Sequence, residues 1–153
     1  MNRQAIFGPW LLMKMEMRNK EGGIFYPFGE SPSGMILYDA SGYMSYTAMR
    51  SGRSKFASGD LAGGTPEEKK AAFEGFDAYC GTYDLDLEER VIIHHVKTSK
   101  FPNWEGSEQL RYFRITENQL LIDTPPIQFQ DKDWVFQVTF VRPEGFSISE
   151  SGT

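Results

Sequence analysis

Cysteine and long apolar runs are scarce in this chain of 153 residues. Cys80 is the only cysteine, which excludes a disulfide within the chain and fits a reducing compartment. No run approaches the ~20 consecutive apolar residues that a membrane-spanning helix needs. The first residues lack the long apolar segment that forms the centre of a signal peptide. These absences predict a cytoplasmic protein that does not bind membranes.

Positive charge is also scarce, since the net charge is −5. The one local basic cluster, Arg50, Arg53 and Lys55, supplies three charges in a loop. Proteins that bind nucleic acid present a larger basic stripe that neutralises several phosphates. We therefore expect no nucleic-acid partner.

The sequence lacks the common motifs of metal sites, phosphate sites and nucleophilic serines. The chain has two histidines, His94 and His95, and adjacent residues of a strand point to opposite faces. No Cys-x-x-Cys, His-Glu-x-x-His, Gly-x-Ser-x-Gly or glycine-rich phosphate loop occurs. We expect neither a metal site nor a cofactor.

Aromatic residues, in contrast, are abundant: twelve Phe, seven Tyr and three Trp. Such residues often line ligand cavities, but they also fill the cores of β proteins, and composition leaves both interpretations open. Apolar residues make up 40% and charged residues 24% of the chain, as in ordinary globular proteins. The length fits one domain, residues 1–153.

Short apolar runs separated by turn signals predict an all-β fold. The predicted strands are residues 10–18, 34–38, 43–49, 81–86, 90–98, 108–115, 119–124 and 133–142. Eight strands in hairpin order favour an up-and-down antiparallel β-barrel, which has no exposed sheet edge. A barrel of eight strands can hold one small ligand.

One segment breaks the strand pattern. Thr65, Pro66 and Glu68 form the start signal of a helix, and apolar residues recur at helical spacing behind them, which predicts one α-helix over about residues 66–79. Residues 51–64 before it are rich in glycine and have no strand pattern. Loop and helix together would form either a lid over one mouth of the barrel or a plug inside it.

Hairpin geometry predicts which side chains face the inside, because opposed residues share a face. A turn at residues 39–42 opposes Tyr38 with Met44 and Ile36 with Tyr46, and we place this more apolar face inside. A tight connection at residues 87–89 then opposes Leu85 with Val91 and Gly81 with His95. The predicted interior comprises Ile36, Tyr38, Met44, Tyr46, Ala48, Tyr83, Leu85, Val91, Ile93, His95, Gln109, Arg111, Phe113, Ile115, Leu120, Ile122, Phe136, Val138 and Phe140. His94 and Arg114 fall outside.

The predicted chamber is apolar with a few polar groups, as in small-molecule sites. The candidate ligand-binding residues are Tyr38, Met44, Tyr46, Tyr83, His95, Gln109, Arg111, Phe113 and Phe136. An unpaired buried guanidinium is very unfavourable, so Arg111 must meet Glu16 or Glu108, water, or an anionic ligand. His95 is either a general acid or base or a hydrogen-bonded histidine without catalytic role.

Several motifs carry a family resemblance. Gly8-Pro9-Trp10 is similar to the Gly-x-Trp start of lipocalins, in which an arginine of the last strand stacks on the tryptophan, here Arg142. Further matching stretches are 27–29 (PFG), 34–38 (GMILY), 42–45 (GYMS), 56–60 (FASGD), 64–69 (GTPEEK), 81–83 (GTY), 94–96 (HHV) and 101–104 (FPNW). Over residues 8–142 the chain resembles a bacterial and fungal lipocalin-like domain family. The resemblance implies the barrel, in proteins that serve as binders, cyclases or isomerases, often in secondary metabolism.

The first strand departs from strict alternation. Counted from Trp10, Lys14 and Glu16 would face inward, whereas Leu11, Met13, Met15 and Met17 would face outward. Either a β-bulge reverses the strand, or the methionines form an association surface, such as that of a homodimer.

Three functions are compatible with these residues. The leading hypothesis is the binding of a small aromatic or polyketide-like molecule inside the barrel. The second is a cofactor-free isomerase, cyclase or lyase, in which His95 or a tyrosine transfers a proton and Arg111 stabilises negative charge. The third is a protein-interaction module that uses the methionine-rich outer face.

Overall fold

The computed structural model describes residues 1–147, in which ten strands and one α-helix form. The strands are β1 (Gly8–Arg18), β2 (Ile24–Phe25), β3 (Ser33–Tyr38), β4 (Tyr43–Met49), β5 (Phe76–Asp86), β6 (Val91–Ser99), β7 (Glu108–Ile115), β8 (Gln119–Asp123), β9 (Ile127–Phe129) and β10 (Lys132–Val141). The helix α1 is Pro66–Glu74, and short 3-10 helices cover Arg3–Ile6 and Pro102–Trp104.

Eight of these strands close into a barrel. The order is β1-β3-β4-β5-β6-β7-β8-β10, and β10 pairs back with β1, every pair being antiparallel. The short strand β2 pairs with the end of β1, and the short strand β9 pairs with the start of β10. The predicted eight-stranded antiparallel lipocalin-like barrel with one helix is confirmed.

Trp10 closes the floor of the barrel. Its side chain is buried, and its indole Nε1 donates a hydrogen bond of 2.8 Å to the carbonyl of Ile6. The guanidinium of Arg142 lies 3.5 Å from the ring centroid and donates to the carbonyls of Pro9 and Ala5 at 3.0 and 2.8 Å. Burial lowers the pKa of Arg142 to about 10, which leaves it charged at neutral pH. The predicted stacking is confirmed.

A β-bulge reverses the first strand. The pairing of β1 with β10 shifts register between Leu12 and Lys14, so that Met15 and Met17 face the core instead of solvent. Lys14 is exposed and pairs with Glu16, which lies between it and Arg18. The bulge, not an outward stripe of one leucine and three methionines, therefore accounts for the pattern.

The helix is shorter than predicted. Its capping box is present, since the Thr65 hydroxyl accepts from the backbone N–H of Glu68 at 3.1 Å and the Glu68 carboxylate accepts from the backbone N–H of Thr65 at 2.9 Å. It ends at Glu74 because Gly75 follows and because the next residues pair with β4, Phe76 with Met49 and Tyr79 with Tyr46. The predicted helix end at residue 79 and the strand start at residue 81 are therefore wrong. No residue of α1 is buried, so the helix does not plug the barrel.

The turn between β5 and β6 holds one residue more than predicted. Arg90 adopts a left-handed conformation with φ 55°, and Leu85 pairs with Ile92 rather than Val91. This extra residue reverses the facing of β6, which buries Ile92, His94 and Val96. The predicted inward positions of Val91, Ile93 and His95 are therefore wrong.

The other predicted interior residues lie on the predicted faces. Tyr38 pairs with Met44 and Ile36 with Tyr46, and all four side chains are buried. In β7, Arg111 and Phe113 are buried and Arg114 is exposed. The pairing of Phe113 with Ile122 of β8 fixes this facing independently of the β5–β6 turn.

We expect Trp10→Ala to lower the free energy of unfolding by about 3–5 kcal/mol, because the floor of the core loses a fully buried aromatic ring. Urea denaturation monitored by circular dichroism measures the loss. Trp134→Ala is the matched control, since Trp134 is only half-buried beside Phe25 and Phe129. An equal loss in both variants would contradict the assigned role of Trp10.

Candidate ligand-binding site

A cavity of about 50 Å³ lies inside the barrel between Trp10 and the opposite mouth. Asp77, Trp104, Thr124 and Ile127 lie at that mouth, where β5 begins and β8 ends. The other lining residues are Met15, Ile36, Tyr46, Tyr79, His94, Arg111, Ile122, Phe136, Val138 and Phe140. The helix α1 connects β4 with β5 and therefore stands beside the same mouth.

Three of the predicted ligand-binding residues line this cavity: Tyr46, Arg111 and Phe136. The predicted residues that do not line it are Tyr38, Met44, Tyr83, His95, Gln109 and Phe113. Tyr83 donates to the backbone carbonyl of Asp39 at 2.8 Å, and Gln109 donates to Ser107 at 2.9 Å.

His95 lies on the outer face of the barrel. Its Nε2 is 2.7 Å from a carboxylate oxygen of Asp84, and its Nδ1 is 3.4 Å from Glu108. Both carboxylates are largely exposed. The prediction that His95 acts in the cavity is therefore wrong, because the longer β5–β6 turn moved it outside.

His94 takes the inner position and is 1% exposed. Its Nε2 lies 2.6 Å from the hydroxyl of Tyr38, and its Nδ1 lies 2.6 Å from the hydroxyl of Tyr79. Burial, together with the positive charge of Arg111, holds the pKa of His94 well below its usual range, so the ring is neutral. Burial also raises the pKa of both phenols, which keeps them protonated.

Arg111 is 6% exposed and has few partners in the protein. Its Nη1 donates to the carbonyl of Leu110 at 2.8 Å, and its guanidinium lies 5.6 Å from the ring centroid of Trp104. Within residues 1–147 no carboxylate oxygen lies within 4.0 Å of the guanidinium. Glu16 pairs with Lys14 and Arg18, and Glu108 with His95, so neither predicted partner neutralises Arg111.

Asp77 is the carboxylate that lines the cavity. Burial raises its pKa, although the nearby charges of Lys100 and Arg111 oppose this shift. Burial raises the pKa of Tyr46 well above the usual range, and the charge of Asp77 adds to this shift. Asp77 and Tyr46 therefore add acceptor oxygens to the lining of the same cavity as Arg111.

Five polar or aromatic residues of the cavity were not predicted from the sequence: Asp77, Tyr79, His94, Trp104 and Thr124. Asp77 and Tyr79 were assigned to the helix. Gly75, a poor helix former, and the alternation of Tyr79, Gly81 and Tyr83 were the signals for a strand that begins earlier.

An antiparallel barrel with a tryptophan floor and an internal cavity is the architecture of a lipocalin-like protein. The chain belongs to the lipocalin-like domain family, whose sequence profile matches residues 7–143. Within the described residues no helix is long and apolar enough to cross a membrane, and no three His, Cys, Asp or Glu side chains are grouped as metal ligands.

One characterised relative is the 4'-hydroxy-3'-methoxypropiophenone carrier protein ppsC of Aspergillus oryzae. It is 31% identical over 87 residues, which cover 53% of this chain and 78% of the relative. Among solved structures, a lipocalin-like protein of Bacteroides uniformis aligns with 90% of this chain and 98% of its own, at 11% identity and a TM-score of 0.46.

The buried imidazole predicts an acid-sensitive stability. The folded-state pKa of His94 is lowered, so the unfolded chain binds up to one more proton than the folded chain between that pKa and about 6.5. The free energy of unfolding therefore decreases as the pH is lowered through this window. The slope contributed by one proton is at most about 1.4 kcal/mol per pH unit. Urea unfolding at about pH 7 and about pH 5.5 measures it.

His94→Gln should lose this part of the slope, whereas His95→Gln should retain it because the buried imidazole is still present. Asp77, whose raised pKa acts in the opposite sense, is unchanged in both variants. Identical pH dependence in wild type and His94→Gln would refute the prediction.

Proposed function

We propose that this protein binds a small aromatic molecule inside the barrel, with a carbonyl or enolate oxygen of that molecule held by Arg111. The observation that carries the proposal is a buried guanidinium at the wall of an apolar cavity, without a carboxylate in contact among the described residues. The proposal includes a role as a carrier in secondary metabolism and a cytoplasmic location.

The charge of Arg111 favours a ligand oxygen over an apolar group. A buried cation that lacks a full partner is unfavourable, and each guanidinium N–H that meets an oxygen recovers part of the lost hydration. Such charge-assisted hydrogen bonds are roughly twice as strong as neutral ones. A ligand with an electron-rich oxygen and an aromatic ring can therefore accept hydrogen bonds from Arg111 and also pack against the apolar wall.

The rest of the wall suits an aromatic ring. Tyr46, Trp104, Phe136 and Phe140 supply ring faces and edges, against which another ring packs favourably. A cavity of about 50 Å³ holds a few water molecules, whereas pockets for ring-sized ligands have roughly 300 Å³ or more. Binding therefore includes movement of side chains, for which the half-buried Trp104 and Phe136 at the mouth are the candidates.

The name of the relative in Aspergillus oryzae supports this ligand class. That protein is named as the carrier of a propiophenone with hydroxyl and methoxy substituents, which is an aromatic ring bearing a ketone oxygen. A ketone of this type presents both features that Arg111 and the aromatic wall favour. We therefore choose aryl ketones as the first compounds to test.

Catalysis is not part of the proposal. Proton transfer by His95 is excluded by its place on the outer face. His94 lines the cavity, but both of its ring nitrogens are already engaged by Tyr38 and Tyr79. Neither nitrogen can accept a proton from a ligand unless one of these hydrogen bonds breaks.

Arg111→Met tests the proposal. We expect the affinity for 4'-hydroxy-3'-methoxypropiophenone to fall by roughly tenfold to a hundredfold, because a hydrogen bond to a charged group contributes about 1.5–3 kcal/mol. The barrel should remain folded, since removal of a buried charge is often neutral or stabilising. Isothermal titration calorimetry measures the affinity.

Arg114→Met is the matched control, because Arg114 lies on the outer face of the same strand. A propylphenol that keeps the ring and its substituents but lacks the carbonyl oxygen should bind equally to wild type and to Arg111→Met. Unchanged affinity of Arg111→Met for the ketone would contradict the proposal.

A further inference from the structure

Three side chains form a line of hydrogen bonds that ends at the cavity. The hydroxyl of Tyr38 contacts Nε2 of His94 at 2.6 Å, and the hydroxyl of Tyr79 contacts Nδ1 at 2.6 Å. His94 and Tyr79 line the cavity, whereas Tyr38 lies behind them in the core. The direction in which these bonds donate decides what the cavity offers to a ligand.

A neutral imidazole has one N–H donor and one acceptor nitrogen. Because His94 is neutral, one tyrosine must donate its hydroxyl hydrogen to the ring, and the other must accept the ring N–H. The accepting tyrosine keeps its own hydrogen for a third group. Two arrangements are thus possible, and they differ in which tyrosine has the free hydrogen.

The surroundings of Tyr38 favour one arrangement. Its side chain is fully buried, and His94 is its sole hydrogen-bond partner within residues 1–147. If Tyr38 accepted the ring N–H, its own hydrogen would be buried without an acceptor, which is unfavourable. Tyr38 therefore donates to Nε2, and the Nδ1–H of His94 donates to the oxygen of Tyr79.

Arg111 favours the same arrangement. Burial raises the pKa of Tyr79, and the positive charge of Arg111 opposes this shift. A guanidinium has hydrogens and no acceptor, so its charge attracts the lone pairs of the Tyr79 oxygen and turns the hydroxyl hydrogen away from it. Both residues also pack against Trp104 at the wall of the cavity.

We infer that Tyr79 donates its hydroxyl hydrogen into the cavity beside Arg111, and that Tyr38 and His94 fix this orientation. The cavity then presents two donors to one ligand oxygen. A ketone or enolate oxygen has lone pairs for both donors and no hydrogen of its own, so this class of oxygen fits the site. The identity of the ligand rests on the proposed function, whereas the direction of the hydrogen bonds does not.

Nitrogen NMR of the uniformly labelled protein at neutral pH tests the direction. The chain has two histidines, so His95→Gln leaves His94 as the one remaining imidazole signal. We expect Nδ1 of His94 to carry the proton and Nε2 to be unprotonated. A proton on Nε2 would overturn the inference, whether or not a ligand is bound.

Tyr79→Phe tests the donor itself. We expect its affinity for the aryl ketone to fall by roughly threefold to tenfold, as for the loss of one hydrogen bond, and its affinity for the propylphenol without a carbonyl to stay unchanged. Tyr83→Phe is the matched control, because its hydroxyl donates to the backbone of Asp39 and not to the cavity. Circular dichroism verifies that both variants fold.

The outcomes separate the two proposals. An equal loss for both compounds in Tyr79→Phe would indicate a packing role and overturn the inference, while Arg111→Met could still support the proposed function. If the wild-type protein fails to bind the ketone, the proposed function is overturned, and the protonation of His94 then decides the inference alone.

Discussion

The pairing of β1 with β10 is the constraint on which the rest of the molecule depends. It closes the sheet into a barrel, so that each inward side chain is removed from water and must find its partners inside. The bulge in β1 belongs to this constraint, since it turns Met15 and Met17 inward and leaves Lys14 in solvent. Closure thus converts a pattern of alternating residues into an internal chamber, in which polar side chains are few and their protonation is set by burial.

Apart from Asp77 at the mouth, the chamber avoids charge in every polar group except one. Burial keeps Tyr38 and Tyr79 protonated and His94 neutral, and two hydrogen bonds of 2.6 Å join these three groups. Arg111 cannot follow them, because a guanidinium does not lose its proton at any ordinary pH. Its stacking on Trp104 and its bond to the backbone leave donor groups unused. In the binding mode that we propose, Arg111 therefore defines the position of the ligand oxygen, because desolvation does not neutralise a guanidinium.

The sequence allowed the prediction of features that local chemistry determines. The turn at residues 39–42 requires a left-handed residue, and Gly42 supplies it with φ 94°, so the pairing of β3 with β4 was predictable. The helix start was predictable from its capping box. The helix end was not, because Phe76 and Tyr79 fit a helical face as well as a strand, and pairing with β4 and β6 decided for the strand. The length of the β5–β6 turn was also not predictable from local sequence, because its left-handed residue is Arg90 rather than a glycine.

A second error cancelled the first at β7, and this bears on function. The sequence placed His95 and Arg111 on one face, whereas in the structure Arg111 pairs with Ile92, so the predicted pairing of β6 with β7 was also wrong by one residue. Arg111 therefore lies inside although β6 is reversed. Because β6 is reversed, the imidazole inside the barrel is His94, which is held between two tyrosines. His95 instead lies outside, beside solvent-exposed carboxylates. A histidine with both nitrogens occupied is suited to orienting a neighbouring hydroxyl, not to exchanging protons with a substrate. The same correction therefore weakens the case for an enzyme and strengthens the case for a binding site in which Arg111 and Tyr79 hold one oxygen.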